Sequence, residues 1–376
     1  MFFLCLRHII LCDFIRILCI FDRKRYLYFP GERIFAFSLP FQGKHGIIDE
    51  YLHIHKLIFP KECMLLMKAN WIRWIAAALM LMSLALLVSS PAMAEITPLP
   101  LDQTVPGAKP LDSGWLSDME YQDESIHMTA KAVTLKPFGS KGEITCHIVH
   151  VKIADPTQIR TYMSNATYKG VAKEEGTTMA RRVNAICAVN GDFFKYFYDV
   201  GYVVRQGTFY RNALNGIRDV LLIDDKGDFH IAPVATKESM EAFLANEFPA
   251  DRQIINSFTF GPTLVRDGQA QDMEKYFSVA RSEFDWPYNA QRASIVQIGE
   301  LEYAIMECGG GNGSGMTMQQ FADWIAETWP TARIAYNLDG GGSTHVIVKG
   351  ERINMCLGHR PIGDILYFAS AISGEE

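Results

Sequence analysis

The sequence predicts an α+β fold, loosely of the mixed α/β kind, with a mixed β-sheet core and a few packed helices. Residues Ile144–Ile153 alternate between apolar and polar side chains, as a strand does. Thr317–Trp329 carries its large apolar residues at helical spacing instead. Between these segments, short apolar runs end at turns rich in glycine and aspartate. The chain has 376 residues, 49% of them hydrophobic, which suffices for a large core.

The first 63 residues do not fit this pattern. Met1–Cys63 is rich in Phe, Ile, Leu, Cys and Arg without a consistent period. A sequence typical of a signal peptide follows it, although such peptides start at the initiator methionine. We therefore expect residues 1–63 to be a spurious upstream extension, with the true start at Met64 or Met67. A genuine amino-terminal membrane segment is the alternative.

Residues 64–94 have the three parts of a signal peptide. Lys68 and Arg73 form a basic start, Ile75–Val88 is an uncharged apolar run, and Ala92-Met93-Ala94 supplies small residues before a cleavage site. The apolar run is also long enough to be a marginal membrane anchor. We expect a protein that is secreted or associated with the cell envelope, through a cleaved signal peptide or an uncleaved anchor.

The charge of the chain differs between its two parts. Residues 1–94 carry 11 Lys and Arg against 6 Asp and Glu, whereas residues 95–376 carry 25 against 36. An acidic mature chain argues against nucleic acid or an anionic membrane surface as the main partner, because nothing would neutralise the phosphates. A small anionic ligand needs only a few local donors and stays compatible with this charge. We expect contact with a membrane only through the signal or anchor segment.

Cysteine usage leaves two alternatives open. Four of the 8 cysteines lie before Met64, and the others are scattered as Cys146, Cys187, Cys308 and Cys356. An even number in an exported chain permits one or two disulfides, and buried free thiols fit equally well. The spacing does not indicate a zinc site.

The mature chain begins with a proline-rich stretch. Residues 95–142 contain 5 prolines and few apolar clusters, so we interpret them as a tether followed by an edge strand or loop. The main domain is expected at 143–371. Its predicted strands are Ile144–Ile153, Ala185–Val189, Ala332–Asn337 and His345–Val348; its hairpins Gly201–Tyr210, Val220–Ile231 and Ser294–Met306; and its helices Thr177–Asn184, Glu238–Glu247 and Thr317–Trp329.

Three glycine-rich junctions follow predicted strands, and each carries an acid. Asp192 follows Asn190-Gly191, Glu307 precedes Gly309–Gly315, and Asp339 precedes the glycines of the segment Asn337–Thr344. Glycine lets the backbone approach a ligand closely, and successive N–H groups in such turns can hold an anion. A pair of carboxyl groups can supply an acid and a base or nucleophile. Each junction taken alone is also compatible with a tight turn.

Several strings of this sequence resemble the phosphodiester glycosidase family. They are NGDFF at 190–194, GPTLVRDG at 261–268, QRASIVQIG at 291–299, Gly315-Met316-Thr317, NLDGGGST at 337–344, and Asn354 followed by Arg360-Pro361. They occur in the family's order over the segment from about Glu143 to Ala371. The chain departs from the family at Gln291-Arg292-Ala293-Ser294, where a proline and a threonine are absent. It departs again after Glu307-Cys308-Gly309, where an arginine is absent.

The resemblance implies roles for named residues. Asp339 and Asp192 are the candidate catalytic carboxyls and Glu307 is the third, while Arg292 would bind the substrate phosphate through its planar guanidinium. An arginine in a salt bridge and asparagines that form turns are the structural alternatives. His147, His150 and His345 are interpreted as packing or surface residues. The residues expected to contact the sugar or to orient the carboxylates are Asn190, Gly191, Asn337, Gly340, Gly341, Gly342, Ser343 and Thr344.

The activity that the resemblance implies is hydrolysis of a sugar-1-phosphodiester to free sugar and a phosphomonoester. The export signal favours envelope or extracellular polysaccharide as the source of substrate. No cofactor is required by the sequence, although Asp192 and Asp339 could hold a divalent cation such as Ca²⁺ or Mg²⁺. Two alternatives stay open: a non-catalytic carbohydrate-binding envelope protein on the same fold, and a hydrolase that cuts the other phosphate ester bond.

Overall fold

The computed structural model describes residues 96–168, 173–192, 201–280, 287–310 and 314–372. The expectations for residues 1–63 and 64–94, the Phe193-Phe194 pair and residues 311–313 of the second glycine-rich junction lie outside the described residues. Among the residues that are described, no helix is long and apolar enough to cross a membrane.

The described elements are mostly strands. The helices are α1 (Gly176–Arg182), α2 (Lys237–Asn246), α3 (Met273–Ala280) and α4 (Met318–Thr328). The strands are β1 (Trp115–Ser117), β2 (Glu120–Gln122), β3 (Ile126–Leu135), β4 (Ile144–Ile153), β5 (Ile159–Met163), β6 (Ala185–Asn190), β7 (Gly201–Arg205), β8 (Thr208–Ala213), β9 (Val220–Asp224), β10 (Phe229–Ala232), β11 (Ile254–Phe258), β12 (Thr263–Arg266), β13 (Gln269–Ala270), β14 (Arg292–Gly299), β15 (Glu302–Cys308), β16 (Ile334–Leu338), β17 (Val346–Val348), β18 (Glu351–Arg352) and β19 (Asp364–Ala369).

The strands form two larger sheets and two smaller ones. The nine-stranded sheet has the order β1-β2-β3-β4-β15-β14-β16-β12-β13, and the five-stranded sheet has the order β18-β17-β6-β19-β5. A three-stranded sheet (β10-β9-β11) and the hairpin β7-β8 complete the set. The pairings between these strands are antiparallel, as in the central pair of β14 and β15. The predicted α+β class is confirmed.

Both faces of the nine-stranded sheet are covered. Val149 and Val151 of β4 face the five-stranded and three-stranded sheets, in a cluster that also contains Leu366 of β19. Cys146 and Ile148 point the other way, into a cluster formed with helices α3 and α4. A layered arrangement of this kind buries the apolar faces of both sheets in one domain. Helix α1 packs on the outer face of the five-stranded sheet.

The helix predicted at Thr317–Trp329 shows why local sequence was informative. Its observed span is Met318–Thr328. The Thr317 side chain accepts a hydrogen bond from the Gln320 N–H, and the Gln320 side-chain oxygen accepts one from the Thr317 N–H. This capping box satisfies backbone donors that would otherwise have no partner at the helix start. Pro330 follows the helix and cannot continue it.

The segment 95–142 is more ordered than a tether followed by one edge element. Strands β1, β2 and β3 lie in it, and the ten residues of β3 pair along the whole length of β4. Ala108 forms an isolated bridge with Ser370. The buried Arg160 side chain donates hydrogen bonds to the carbonyls of Pro100 and Asp102. The prolines therefore mark an irregular but packed path, since distant backbone and side-chain groups satisfy its carbonyls.

Candidate active site

Two of the three glycine-rich junctions meet at the ends of β6 and β16. The Asn190 side-chain amide donates a 2.7 Å hydrogen bond to the Asp339 carbonyl, and its side-chain oxygen accepts one of 3.1 Å from the His345 N–H. Asn190 is 1% exposed. These two bonds of Asn190 hold the end of β6 against both ends of the loop between β16 and β17. Asp192 follows β6 and Asp339 begins that loop, so the two acids belong to one site.

The Asp339 carboxyl group is enclosed by hydrogen-bond donors and lies beside a cation. Its side chain is largely buried, and the Ser343 hydroxyl and the Gly340 N–H donate to its carboxylate. Arg360 Nη2 lies 3.6 Å from Asp339 Oδ2. Burial raises the pKa of Asp339 and the nearby Asp192 adds to the shift, while Ser343 and Arg360 oppose it. A carboxyl group in this state can hold a proton at a higher pH than an ordinary aspartate.

Ser343 connects Asp339 to a cation. Its hydroxyl oxygen accepts a 2.7 Å hydrogen bond from Arg360 Nε while the hydroxyl donates to Asp339. Ser343 belongs to the 3-10 turn Gly341–Ser343, which directly follows Gly340. A side chain on Gly340 would meet the Gln291 carbonyl oxygen at 2.6 Å, so this approach of the turn to Gln291 depends on glycine.

Asp192 is held from both its backbone and its side chain. Its Oδ2 accepts a 2.7 Å hydrogen bond from the Thr259 N–H, and its own N–H donates to Asp364 Oδ1 at 2.9 Å. A side chain on Gly191 would lie 2.5 Å from that same oxygen, so only glycine permits this contact. The sequence requirement for Gly191 is therefore close approach to Asp364 rather than contact with a ligand.

A buried ion pair lies beneath Asp192. Arg205 Nε and Nη2 donate to Asp364 Oδ2 at 2.9 and 2.7 Å, and both side chains are fully buried. The guanidinium also stacks on the Phe258 ring, with 4.7 Å between its carbon and the ring centroid. Asp364 thus uses one oxygen for Arg205 and the other for the backbone of Asp192, which fixes the end of β6.

Three cations surround the two carboxyl groups. Arg360 contacts Asp339 directly, Lys173 interacts electrostatically with Asp339 and Arg360, and Arg218 interacts with both Asp192 and Asp339. Burial lowers the pKa of Lys173 and of Arg218, and the acids oppose that shift. Three positive groups against two carboxyls leave a local excess of positive charge when both acids are ionised, which suits an anionic ligand.

Sequence reasoning did not identify Lys173 or Arg218, because neither lies in a motif. Arg360 was noticed only as part of the string Arg360-Pro361. The Arg218 guanidinium donates to the Phe260 carbonyl at 2.9 Å, close to the segment that begins at Gly261. Arg218 lies 42 residues before Phe260 in the sequence, so only the fold brings it to that string.

Glu307, the third candidate acid, lies in a separate buried network. Its carboxylate contacts His147 Nδ1 at 2.8 Å and accepts a 2.8 Å hydrogen bond from the Gln291 amide. The side chain is fully buried. Burial raises the pKa of Glu307, and the hydrogen bonds from His147 and Gln291 oppose the shift. Among the described residues, its hydrogen-bond and ion-pair partners include neither Asp192 nor Asp339.

The guanidinium of Arg292 holds backbone carbonyls. Nε donates to the Met316 carbonyl at 2.8 Å and Nη2 to the Tyr288 carbonyl at 2.9 Å, and the residue is largely buried. These bonds connect the start of β14 to the segments before it and before α4. The described partners are those of a structural arginine, and its phosphate-binding role stays a prediction.

Of the remaining residues predicted to contact the sugar or to orient the carboxylates, some serve packing and one is accessible to a ligand. Asn337 donates to the Gly261 carbonyl at 2.8 Å and is buried, as is Thr344. A side chain on Gly342 would meet the Gly358 carbonyl oxygen at 2.3 Å, so Gly342 serves packing. Gly341 is exposed, and a side chain built there would meet nothing within 4 Å. The backbone at Gly341 is therefore the accessible part of this turn.

The described cysteines are free thiols. Cys146, Cys187 and Cys308 are buried, and Cys356 is half-buried beside the Gly341 carbonyl. Of the two alternatives that the sequence left open, the structure therefore has free thiols at these four positions.

The comparison with protein families decides the assignment. Residues 183–369 match the model of the phosphodiester glycosidase family. The chain carries a domain of this family. The match includes Asp192, Glu307 and Asp339, and it confirms the resemblance inferred from the strings NGDFF and NLDGGGST.

One solved structure supports the fold. The chain is similar to the catalytic domain of zebrafish N-acetylglucosamine-1-phosphodiester alpha-N-acetylglucosaminidase auto-inhibited by its pro-peptide, with a TM-score of 0.52 and 15% identity. That similarity covers 70% of this chain and 86% of the zebrafish chain. A hypothetical protein from Synechocystis aligns with a TM-score of 0.41 and 14% identity, over 65% of this chain and 62% of that chain. No curated protein matches the sequence.

Proposed function

We propose that this phosphodiester glycosidase family member hydrolyses a sugar-1-phosphodiester between the anomeric carbon and the phosphate oxygen. The observation that carries the proposal is the pair Asp192 and Asp339 beside three cations, with Arg360 3.6 Å from Asp339. Hydrolysis of a glycosidic bond commonly uses two carboxyl groups, and a phosphodiester adds one negative charge that needs a cationic partner. Family membership supports the same class of reaction.

The cations perform the first part of the proposed reaction. Arg360, Lys173 and Arg218 bind the phosphate and stabilise the charge that grows on it as the bond to the sugar breaks. The phosphate therefore does not need an arginine after Gly309, because other positions in the chain supply the positive charge. The departure from the family's usual string is therefore compatible with a phosphate-binding site.

The carboxyl groups perform the second part. Asp339, with its raised pKa, donates a proton to the departing phosphate oxygen, and Arg360 keeps the resulting carboxylate paired. Asp192 faces the sugar as the base that activates water or as the nucleophile. The leaving phosphate takes the electron pair of the broken bond, and water supplies the new hydroxyl at the anomeric carbon. The anomer formed first distinguishes these two roles of Asp192.

The test is sugar release by the purified protein. UDP-N-acetylglucosamine and a simple sugar-1-phosphodiester are incubated with wild type and with Asp339→Asn, and reducing sugar is measured. Free sugar from the wild type, with little from Asp339→Asn, supports the proposal. Sugar that still carries its phosphate would instead identify a hydrolase that cuts the other ester bond.

The rival function is carbohydrate binding without turnover. It predicts that neither protein releases sugar while both bind the same ligands in calorimetry. The rival rests on the departures at Gln291–Ser294 and after Glu307, and the cations around Asp339 argue for the enzyme instead.

We propose further that the protein acts outside the cytoplasm, on phosphodiesters of envelope or extracellular polysaccharide. The apolar run Ile75–Val88 and the small residues before Glu95 support export. Amino-terminal sequencing of the protein from its native source tests this proposal. A mature start at Glu95 is expected, and a peptide from residues 1–61 would overturn both the predicted start site and the leader.

A further inference from the structure

Two histidines and a glutamate converge near the candidate active site without belonging to it. Glu175 precedes helix α1, His345 precedes strand β17, and His359 lies just before Arg360. One ligand atom from each of the three residues lies within 4.8 Å of the others. Two imidazoles and a carboxylate are a donor set that zinc commonly has in proteins.

His345 is arranged as a metal ligand. It is 1% exposed, and its Nε2 lies 3.2 Å from the Arg360 carbonyl oxygen, to which it donates. That bond leaves Nδ1 with a lone pair, and Nδ1 has no hydrogen-bond partner among the described residues. Nδ1 lies against Gly176, the residue after Glu175, where an added side chain would approach it to 2.7 Å. Metal-bound histidines typically donate their other N–H to a carbonyl in this way.

His359 and Glu175 supply the other two ligands. His359 Nε2 lies 2.9 Å from one oxygen of Glu175 and 3.0 Å from the other. The side chains are 35% and 41% exposed, so solvent reaches the pair. His359 Nδ1 contacts the Arg352 guanidinium, which can only donate. In this arrangement Nε2 carries the proton. A metal ion would bind Nε2 after that proton moves to Nδ1, which requires the Arg352 guanidinium to leave Nδ1.

We propose that Glu175, His345 and His359 bind one divalent transition-metal ion of the zinc type. The softer nitrogen donors favour Zn²⁺ or Co²⁺ over Ca²⁺ and Mg²⁺, which prefer oxygen ligands. A bound ion would connect the start of α1 to the segment that carries Arg360. It would therefore hold Arg360 beside Asp339 without contacting the substrate. The proposal stands independently of the reaction proposed above.

The experiment titrates the full-length protein with Co²⁺ while visible absorption is recorded, and with Zn²⁺ in calorimetry. One ion per chain is expected, with the spectrum of nitrogen and oxygen ligation. His359→Ala and Glu175→Gln should each weaken binding by at least about 10-fold, because each removes a ligand from a three-residue site. A thiolate-to-cobalt band, or no binding by the wild type, would overturn the proposal.

The chain offers a matched control. His127 and Glu120 form an exposed histidine–glutamate pair at 3.2 Å, outside the three-residue group. His127→Ala should bind the ion as the wild type does. Equal affinity in His359→Ala and the wild type would contradict the site, as would a loss in His127→Ala equal to that in His359→Ala.

Arg352 gives a test in the opposite direction. Its guanidinium donates a hydrogen bond to His359 Nδ1 and adds positive charge beside the proposed site. Arg352→Ala should therefore bind Co²⁺ about 3-fold to 10-fold more tightly, since like charges repel and the imidazole is released. Weaker binding in Arg352→Ala would count against this geometry. Circular dichroism of each variant separates loss of the site from loss of the fold.

Discussion

Asp339 and Glu307 occupy similar positions in the sequence and different environments in the fold. Asp339 follows β16 and Glu307 is the last residue but one of β15, both in the nine-stranded sheet, and each precedes a glycine-rich segment. Burial raises the pKa of both carboxyl groups. Asp339 faces Arg360, whose side chain is half-exposed, whereas Glu307 is enclosed between His147 and Gln291. The hydrogen-bond and ion-pair partners of an acid, rather than its sequence motif, therefore determine whether its carboxyl group can contact a ligand.

The position along the strand explains the difference. Glu307 is still within β15, where its neighbours on β4 and β14 are His147 and Ala293. Asp339 comes one residue after β16 ends, where the chain turns away from the sheet. A residue inside a central strand is flanked on both sides, while a residue beyond a strand end can face a loop.

The largest expected effect comes from exchanging each acid for its amide. Asp339→Asn should lower turnover of a sugar-1-phosphodiester by about 10²-fold to 10⁴-fold, because it removes a proton donor from the reaction. Glu307→Gln should lower it by less than about 10-fold, since its partners are protein groups. Steady-state kinetics with thermal melting as the folding control measure both. Equal losses in the two variants would break the comparison.

The ion pair beneath Asp192 gives the next largest effect, on stability. Asp364→Asn should lower the free energy of unfolding by about 3–5 kcal/mol, because it leaves the buried Arg205 without its counter-charge. Glu351→Gln, which breaks the exposed pair with Arg181, should cost less than about 1 kcal/mol. Urea unfolding near neutral pH compares them. A small effect of Asp364→Asn would mean that the Asp192 side of the site does not depend on this pair.

The side chains of His345 and Glu307 should affect stability in opposite directions as the pH falls. The folded-state pKa of His345 is lowered to about 4, so the unfolded chain takes up this proton first as the pH falls. The stabilisation is present above about pH 6.5 and is lost towards about pH 4, amounting to about 3 kcal/mol. Glu307 has a raised pKa, so its folded form gains stability relative to the unfolded chain as the pH falls.

Hydrogen exchange measured near pH 7 and near pH 5 checks this contrast. Amides of the segment 340–346 should lose protection at the lower pH relative to those of β4 and β15 around Glu307. His345→Gln should flatten the dependence of unfolding free energy on pH between those two values. An unchanged slope in that variant would show that other groups control the acid response.

The smallest of these effects is expected at Arg360, the cation that lies beside Asp339. Arg360→Ala should lower kcat/KM by about 10²-fold, since it removes a positive group from the transition state. It should also move the pH profile upward, because Arg360 opposes the raised pKa of Asp339. Arg181→Ala, an exposed arginine paired with Glu351, is the matched control. Loss of activity without a shift of the pH profile would show that Arg360 binds the phosphate and does not control the pKa of Asp339.

Much of the fold followed from local pattern. The alternation of Ile144–Ile153 predicted β4 at its observed bounds, and the hairpin predicted at Val220–Ile231 is present as β9 and β10. Strands β1, β2 and β3 were not predicted individually, because prolines and exposed residues hid their alternation. Strand β19 was also missed: each of its residues is buried, so it has no polar face to reveal a period of two.

Local sequence also predicted part of the candidate site. Asp192 and Asp339 could be found because each sits beside glycines that a strand end requires. Lys173 and Arg218 could not, since nothing in their sequence surroundings indicates which acid they face. Arg292 lies in one of the strings that resemble the family, and its described bonds are to carbonyls.

Local sequence accounts for three features of this protein: the period of its strands, the cap of α4, and the glycines at the close approaches of Gly191 and Gly340. Which charged groups lie together depends instead on how the chain folds. Asn190 and Asp339 are 149 residues apart, and Arg205 and Asp364 are 159 residues apart. Contacts over such separations leave no periodic trace in the chain, because they depend on how the two sheets pack.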